Sequence, residues 1–466
     1  MSGMLETFRN AFKIPELRVK LVFTMIVILL YRLGASIPVP FVNSGMMSEL
    51  MSSQGDTIFG YLNILSGNAF SQATLFALSI SPYITASIVM QLLTIAIPAL
   101  EKLQKSGEEG RKKITQITRY VTVLLGVITG YGYYITLLNG VMTEAGRQSF
   151  LTNTHWFSGI VIVTCYSAGS ALIMWLGEKI NENGIGNGIS IILFANIISR
   201  VPSGVAAVVS DIVSYISGDR APASGNVAGA VIFEIIRISI ILAVALMIIA
   251  FVVFMSNAER RIPVQYSKRV VGRKMYGGQS TYLPMKVNMS GVMPIIFASS
   301  MVSIPITVIS FMNRSASGVP SQVEQPILYF MYNLMGTRSA VYIILEFALI
   351  IAFSYFYIAI SFNPLEVSNN LTKNGGSIPG IRQGKPTVAY ITRILNKVVL
   401  IGGIFLGIVA VFPLIVNAVV SAFGVTSFGA IAFGGSSLLI VVGVALETTR
   451  EIEAQMTMRH YKGFLE

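Results

Sequence analysis

The feature that most restricts this chain is a recurrence. From residue 20 to residue 447, apolar runs of about 18 to 25 residues follow one another with only short interruptions. A run of that length spans the hydrocarbon of a bilayer as a helix, whereas an isolated strand in lipid would leave its backbone polar groups without partners. Ten helical spans are therefore expected, at roughly 20–38, 72–97, 117–139, 154–177, 188–209, 229–255, 289–313, 339–361, 394–417 and 428–447. Only 12% of the 466 residues are charged, about half the fraction of an ordinary soluble domain. No soluble domain of usual size fits between the runs.

Charge placement orients the bundle. Threading the chain through ten spans puts 26 of the 33 lysines and arginines on one side and 6 on the other, with Arg32 inside the first span. By the positive-inside rule both termini are cytosolic, and the net charge of +12 belongs to membrane topology, not to nucleic-acid binding. The run from Leu21 to Ile37 ends in Pro38-Val39-Pro40 without a small-residue cleavage site, so a retained first span is expected.

The connections differ in kind. Two long, polar segments, about 256–288 and 362–393, are expected as cytosolic loops. On the far side, a short apolar piece from Ile58 to Leu65 covers less than half a membrane thickness and is followed by the chain breaker Ser66-Gly67-Asn68.

Catalytic signatures are missing. The sequence has no phosphate-binding loop ending in Gly-Lys-Ser/Thr, no paired-histidine zinc helix and no Gly-x-Ser-x-Gly elbow. Cys165 is the single cysteine and stands beside only His155 and His460, so neither an internal disulfide nor a structural zinc site is expected, and no cofactor is implied. A gradient-coupled transporter needs ionisable groups near the bilayer midplane. Only Glu234, Arg237 and Glu346 qualify, all in the outer halves of their spans. The glycine-rich Asn183-Gly184-Ile185-Gly186-Asn187-Gly188 lacks a lysine and joins two apolar runs, which predicts a tight turn. Ile80, Ile84, Ile189, Ile296 and Ile440 read from periodicity as lipid-facing or core residues.

Longer motifs carry more. The stretch RRIPVQYSKRVVGRKMYGGQSTYLPMKVNMSGVMPIIFASS at 260–300 and NGGSIPGIRQGKPT at 374–387 stand in the polar loops and at the following span. PYITASIVMQLL at 82–93, WLGEKINENGIGNGISI at 175–191, FNPLEVSNNL at 362–371 and FGGSSLLIVVGV at 433–444 add to them. Together these resemble the SecY family, the channel-forming subunits of the bacterial Sec translocon, over essentially the whole chain.

The resemblance implies an all-α polytopic membrane protein, ten transmembrane helices in two pseudo-symmetric five-helix halves (1–209 and 210–466) around a central pore. It implies a gated protein-conducting channel and not an enzyme. The pore ring would comprise Ile80, Ile84, Ile189, Leu193, Ile296 and Ile440, with leucine at 193 where isoleucine is common. A plug over about 57–69 would present Ile58, Phe59, Tyr61, Leu62, Ile64 and Leu65. Gln91 and Asn288 would hydrogen-bond across a lateral gate between the second and third spans and the seventh and eighth. Arg273, Lys274 and Arg382 would dock the SecA motor or the ribosome. The implied partners are the small SecE and SecG subunits, SecA, the ribosome, signal peptides, nascent polypeptides and membrane lipids, in the cytoplasmic membrane of a bacterium.

Overall fold

The structure is a computed structural model that describes residues 9–45, 47–48, 63, 66–139, 141–143, 146–148, 150–152, 155–216, 227–266, 269–271, 274–276, 280–312, 325–336, 339–422 and 435–462. Each expected span overlaps a helix. These are α1 (Pro15–Gly34), α2 (Ser81–Ala96), α4 (Glu108–Asn139), α5 (Trp156–Asn183), α6 (Gly188–Ile198) with α7 (Val201–Ile216), α8 (Val227–Asn257), α9 (Met293–Met312), α11 (Ala340–Ser361), α13 (Lys385–Ala422) and α14 (Gly435–Lys462). Shorter helices α3 (Pro98–Lys105), α10 (Pro326–Met335) and α12 (Pro364–Lys373) lie between them. Among the described residues, six stretches are long and apolar enough to cross a bilayer unaided, and α2 with α3, bent by 100°, counts as a seventh if taken as one broken span. The other expected spans fall on α1, α9 and α14. The first and last of these carry charged residues at one or both ends, such as Arg18 and Lys20 in α1 and Arg450 and Glu451 in α14.

Local sequence sets the boundaries. The second span begins at Ser81, not near 72 as expected, because residues 67–80 are wound into successive turns in which Asn68, Ala73 and Ser79 adopt positive φ. Pro82 then starts the helix, where a missing N–H costs nothing. Pro98 opens α3 and marks the sharp bend. The expected tight turn between α5 and α6 is present. Asn187 caps α6 by accepting hydrogen bonds from the N–H groups of Ile189 (3.1 Å) and Ser190 (3.3 Å), and Asn181 Oδ1 accepts from Gly188 N at 2.8 Å. A Cβ at Gly188 would lie 2.0 Å from the Gly177 carbonyl oxygen, so only glycine lets the two helices meet there.

The two long polar loops hold small antiparallel sheets that the polarity of these segments did not foretell. Strand β3 (Glu259–Tyr266) pairs with β6 (Ser280–Lys286), with Ile262 opposite Leu283, and β4 (Arg269–Val271) pairs with β5 (Lys274–Tyr276) near the tip. A third strand, β7 (Gly376–Ser377), comes from the other loop and pairs with the same β3, Gln265 opposite Ser377. The two loops therefore form one sheet. Its apolar face, Ile262 and Met285, packs with Ile358 of α11, Ile378 just after β7, and Ile391 and Leu395 of α13. Strands β1 (Val141–Thr143) and β2 (Gly146–Gln148) form a separate hairpin after α4.

Helix contacts bring the two ends of the chain together. Among the described residues, α4 packs on α5 and α2, α5 on α1 and α6, and α11 on α9 and α13; α14 joins α8, α13 and α6. Helix α9 also lies against α2 and α4, which places the seventh expected span beside the second and third.

Candidate functional site

The largest apolar cluster sits where these helices converge, and it includes residues from α1, α2, α5, α6, α8, α9, α11, α13 and α14. Five of the six residues expected in a pore ring lie in it, each no more than 2% exposed: Ile80, Ile84, Leu193, Ile296 and Ile440. Ile189 is partly buried against the same cluster. They come from sequence positions up to 360 apart and converge because several helices begin part-way through the bundle. Ile80 precedes the first residue of α2 and Ile84 lies in its first turn, Leu193 lies in the second turn of the Asn187-capped α6, and Ile296 is in the first turn of α9, just after Gly291 at φ 64°. Aliphatic side chains alone give such a neck no fixed hydrogen-bonding partner for whatever touches it, and a narrow dewetted neck resists ions.

The polar pair expected across the gate is not joined. Gln91 Nε2 donates within its own helix to Ser87 Oγ at 3.2 Å, while Asn288 Oδ1 is buried without a hydrogen-bond partner among the described residues. The reason is local: α9 starts only at Met293, and Val287 still donates to the Ala258 carbonyl at the base of the hairpin. Asn288 thus ends the hairpin and lines a cleft of about 440 Å³ with Lys286, Tyr357, Glu447 and Arg450. It does not cap α9.

The expected plug residues Ile58, Phe59, Tyr61, Leu62, Ile64 and Leu65 lie outside the described residues. The trailing end of that segment is described and tightly bonded. Asn63 Oδ1 accepts from Ser71 N at 3.0 Å, Ser66 Oγ accepts from Phe70 N at 3.0 Å, and Tyr133 Oη donates to the Phe70 carbonyl at 2.8 Å. Arg273 also lies outside the described residues, and Lys274 begins β5. Arg382 is exposed in the turn between β7 and α13, where its carbonyl accepts from Thr387 Oγ1 at 2.8 Å.

Sequence reasoning missed two polar arrangements within the bundle. Arg119 of α4 and Glu178 of α5 form a two-pronged ion pair, and Arg32 reaches main-chain carbonyls on two other segments. The only available signal was a charge inside or beside an apolar run. Glu346, which did attract notice, is 3% exposed in α11, with Oε2 unpartnered among the described residues. The side chains of Glu234 and Arg237 lie outside the described residues.

Fold and site together define a polytopic helical membrane protein whose helices converge on an aliphatic cluster. The SecY family model matches residues 74–449. The protein translocase subunit SecY of Streptomyces coelicolor is 43% identical over 471 residues, covering 99% of this chain and all of that protein, and that of Corynebacterium glutamicum is 40% identical over the full length of both. Among solved structures, a protein-conducting channel superimposes with a TM-score of 0.63 at 16% identity, covering 94% of this chain and 92% of that one. Sec61 in the canine ribosome–channel complex gives 0.58 at 15% identity over the same shares. These two establish the fold. The chain belongs to the SecY family: it is a multi-pass protein-conducting channel subunit of the translocase and not an enzyme.

Proposed function

We propose that the chain is the passive, gated conduit of a bacterial translocon, with Ile80, Ile84, Ile189, Leu193, Ile296 and Ile440 as the ring through which an unfolded polypeptide passes. One observation carries this reading: five of these six residues, drawn from both ends of the chain, are buried in one apolar cluster. A ring without hydrogen-bonding groups lets a chain of any sequence slide, and in its absence the ring closes on itself and excludes water.

Residues 1–209 and 210–466 are read as two halves hinged about this neck. The contact of α9 with α2 and α4 supports a lateral exit there for apolar segments bound for lipid. Residues 57–69 are read as the plug. The basic cytosolic loops bearing Arg273, Lys274 and Arg382 are read as the docking face for SecA or a ribosome; both loops meet in one sheet, which supports a single platform. Among structural relatives, the canine Sec61 structure is a ribosome–channel complex. Small SecE and SecG subunits would complete the channel. Residence in a bacterial cytoplasmic membrane with both termini cytosolic is supported by the charge distribution and by the bacterial relatives.

The test places a photoreactive residue at position 84 or 296 in the chain reconstituted with SecE, SecG and SecA, and stalls a secretory precursor midway. Crosslinks from both positions to the precursor are expected, with none from lipid-facing Leu124. Crosslinking equal to that at 124 would end the reading of these residues as the ring.

A further inference from the structure

An arginine inside a membrane span is costly and persists only with partners. Arg32, in the last turn of α1, has no ion pair among the described residues and spends its donors on main-chain carbonyls. Nη2 donates to the Ala195 carbonyl at 2.7 Å and, at the long limit of 3.5 Å, to that of Asn196; Nη1 donates to the Gly67 carbonyl, also at 3.5 Å.

Helix α6 breaks at Ser199 and Arg200; the Ala195 carbonyl also accepts from Ser199 N at 3.1 Å and that of Asn196 from Ser199 Oγ at 2.7 Å, so the guanidinium shares these carbonyls and meets the negative end of the helix dipole. Gly67 sits in the left-handed region at φ 63°, and a Cβ there would lie 2.9 and 3.0 Å from the two terminal guanidinium nitrogens and 3.1 Å from Asn196 Cα. Turn, guanidinium and helix end are thus in three-way contact. The turn behaves as one piece through the Asn63, Ser66 and Tyr133 hydrogen bonds, and α1 is held against it by Tyr31 stacking on Phe76 with centroids 5.3 Å apart. Helix α6 also carries Leu193 in the apolar neck, two residues before Ala195.

We propose that Arg32 is a positioning residue that ties the trailing end of the plug, at Gly67, to the end of α6, and that this tie must break for the resting channel to open. The inference rests on the reading of residues 57–69 as the plug. Arg32 touches neither the ring nor a passing polypeptide; it sets how firmly the closed arrangement is held.

The experiment uses the full chain with its partner subunits in planar bilayers, in a Cys165→Ala background. Arg32→Met should raise the resting ion conductance, without precursor, roughly tenfold, the scale set by losing a charge-assisted hydrogen bond. Arg32→Lys, which keeps a donor but not the fork, should fall between. The paired substitution Gly67→Cys with Asn196→Cys replaces the tie by a disulfide. Oxidised, it should suppress the leak of Arg32→Met and, in the chain that keeps Arg32, block SecA-driven precursor translocation; a reductant should reverse both. That second arm needs no change at Arg32 and so holds even if Arg32→Met fails to fold. A folded Arg32→Met channel with parental conductance overturns the proposal, as does a formed disulfide that leaves translocation at its reduced rate. Deleting residues 57–65 separates the two ideas: a tight resting channel after that deletion removes the plug reading and the tie with it, whereas a leaky deletion beside a tight Arg32→Met removes the tie alone.

Discussion

Arg119 and Glu178 are joined by two hydrogen bonds, Nε to Oε1 at 3.1 Å and Nη2 to Oε2 at 2.7 Å, a fork-to-fork pair linking α4 to α5. The partners differ in exposure: the arginine side chain is 46% exposed and the glutamate 9%. Removing the arginine strands a buried carboxylate, whereas neutralising the glutamate strands a cation that water can reach. Arg119→Met should therefore lower stability more than Glu178→Gln, by about 2 kcal/mol against about 1. Thermal unfolding of both variants and the double mutant in detergent measures this, and the double mutant should recover part of the Arg119→Met loss.

Glycine substitutions should diverge by position. Gly188→Ala forces a Cβ to 2.0 Å from a backbone oxygen, so α5 and α6 must separate and the Asn181 bond to Gly188 N must lengthen. A loss of about 2 kcal/mol or more is expected. Gly204, inside α7, has nothing within 4 Å of the place a Cβ would take, and Gly204→Ala should stabilise by about 0.5 to 1 kcal/mol. The sign difference is read from unfolding midpoints of the two purified variants.

A polar group in the neck should wet it. Ile84→Asn places an amide where Ile84 is 2% exposed, and water drawn to it should raise resting conductance in planar bilayers, with a stability cost of about 1 to 3 kcal/mol. Ile84→Val trims one methylene without adding a polar atom and should leave conductance near the parental value.

Arg382→Glu should uncouple docking from folding. The side chain is exposed, so stability should change by no more than about 0.5 kcal/mol, while SecA-driven translocation into proteoliposomes should collapse. For the parent, binding of ribosomes through this loop should weaken steeply with added salt, and less steeply for the variant, because phosphate contacts release counterions.

The spans themselves were legible because bilayer thickness imposes one length on every crossing helix, and each of the ten expected runs falls on a helix. Residues 72–80 misled because Phe76, Ala77 and Leu78 have the composition of a span, yet left-handed residues at Ala73 and Ser79 unwind them, and no rule of composition marks an alanine for positive φ. The sheet formed by the two polar loops did have a signal. Ile262 and Val264 are each 1% exposed and alternate with exposed Arg261, Pro263 and Gln265, the period-two pattern of a half-buried strand, masked by the charge around it. The convergence at the neck was not legible from periodicity, since Ile80 or Ile440 looks like any aliphatic residue of its helix; only the family motifs singled these positions out. Asn288 was displaced by a boundary: a start at Met293, not 289, leaves it on the hairpin.

Pairing β7 with β3 stitches two excursions of the chain more than a hundred residues apart into a common lever. If the sheet is the docking face proposed above, a motor or particle that grasps either loop would have hold of both, and its thrust would pass jointly to α9 and α13, which follow β6 and β7 in the chain. Docking and opening would then be mechanically inseparable from whichever loop the visitor happens to seize.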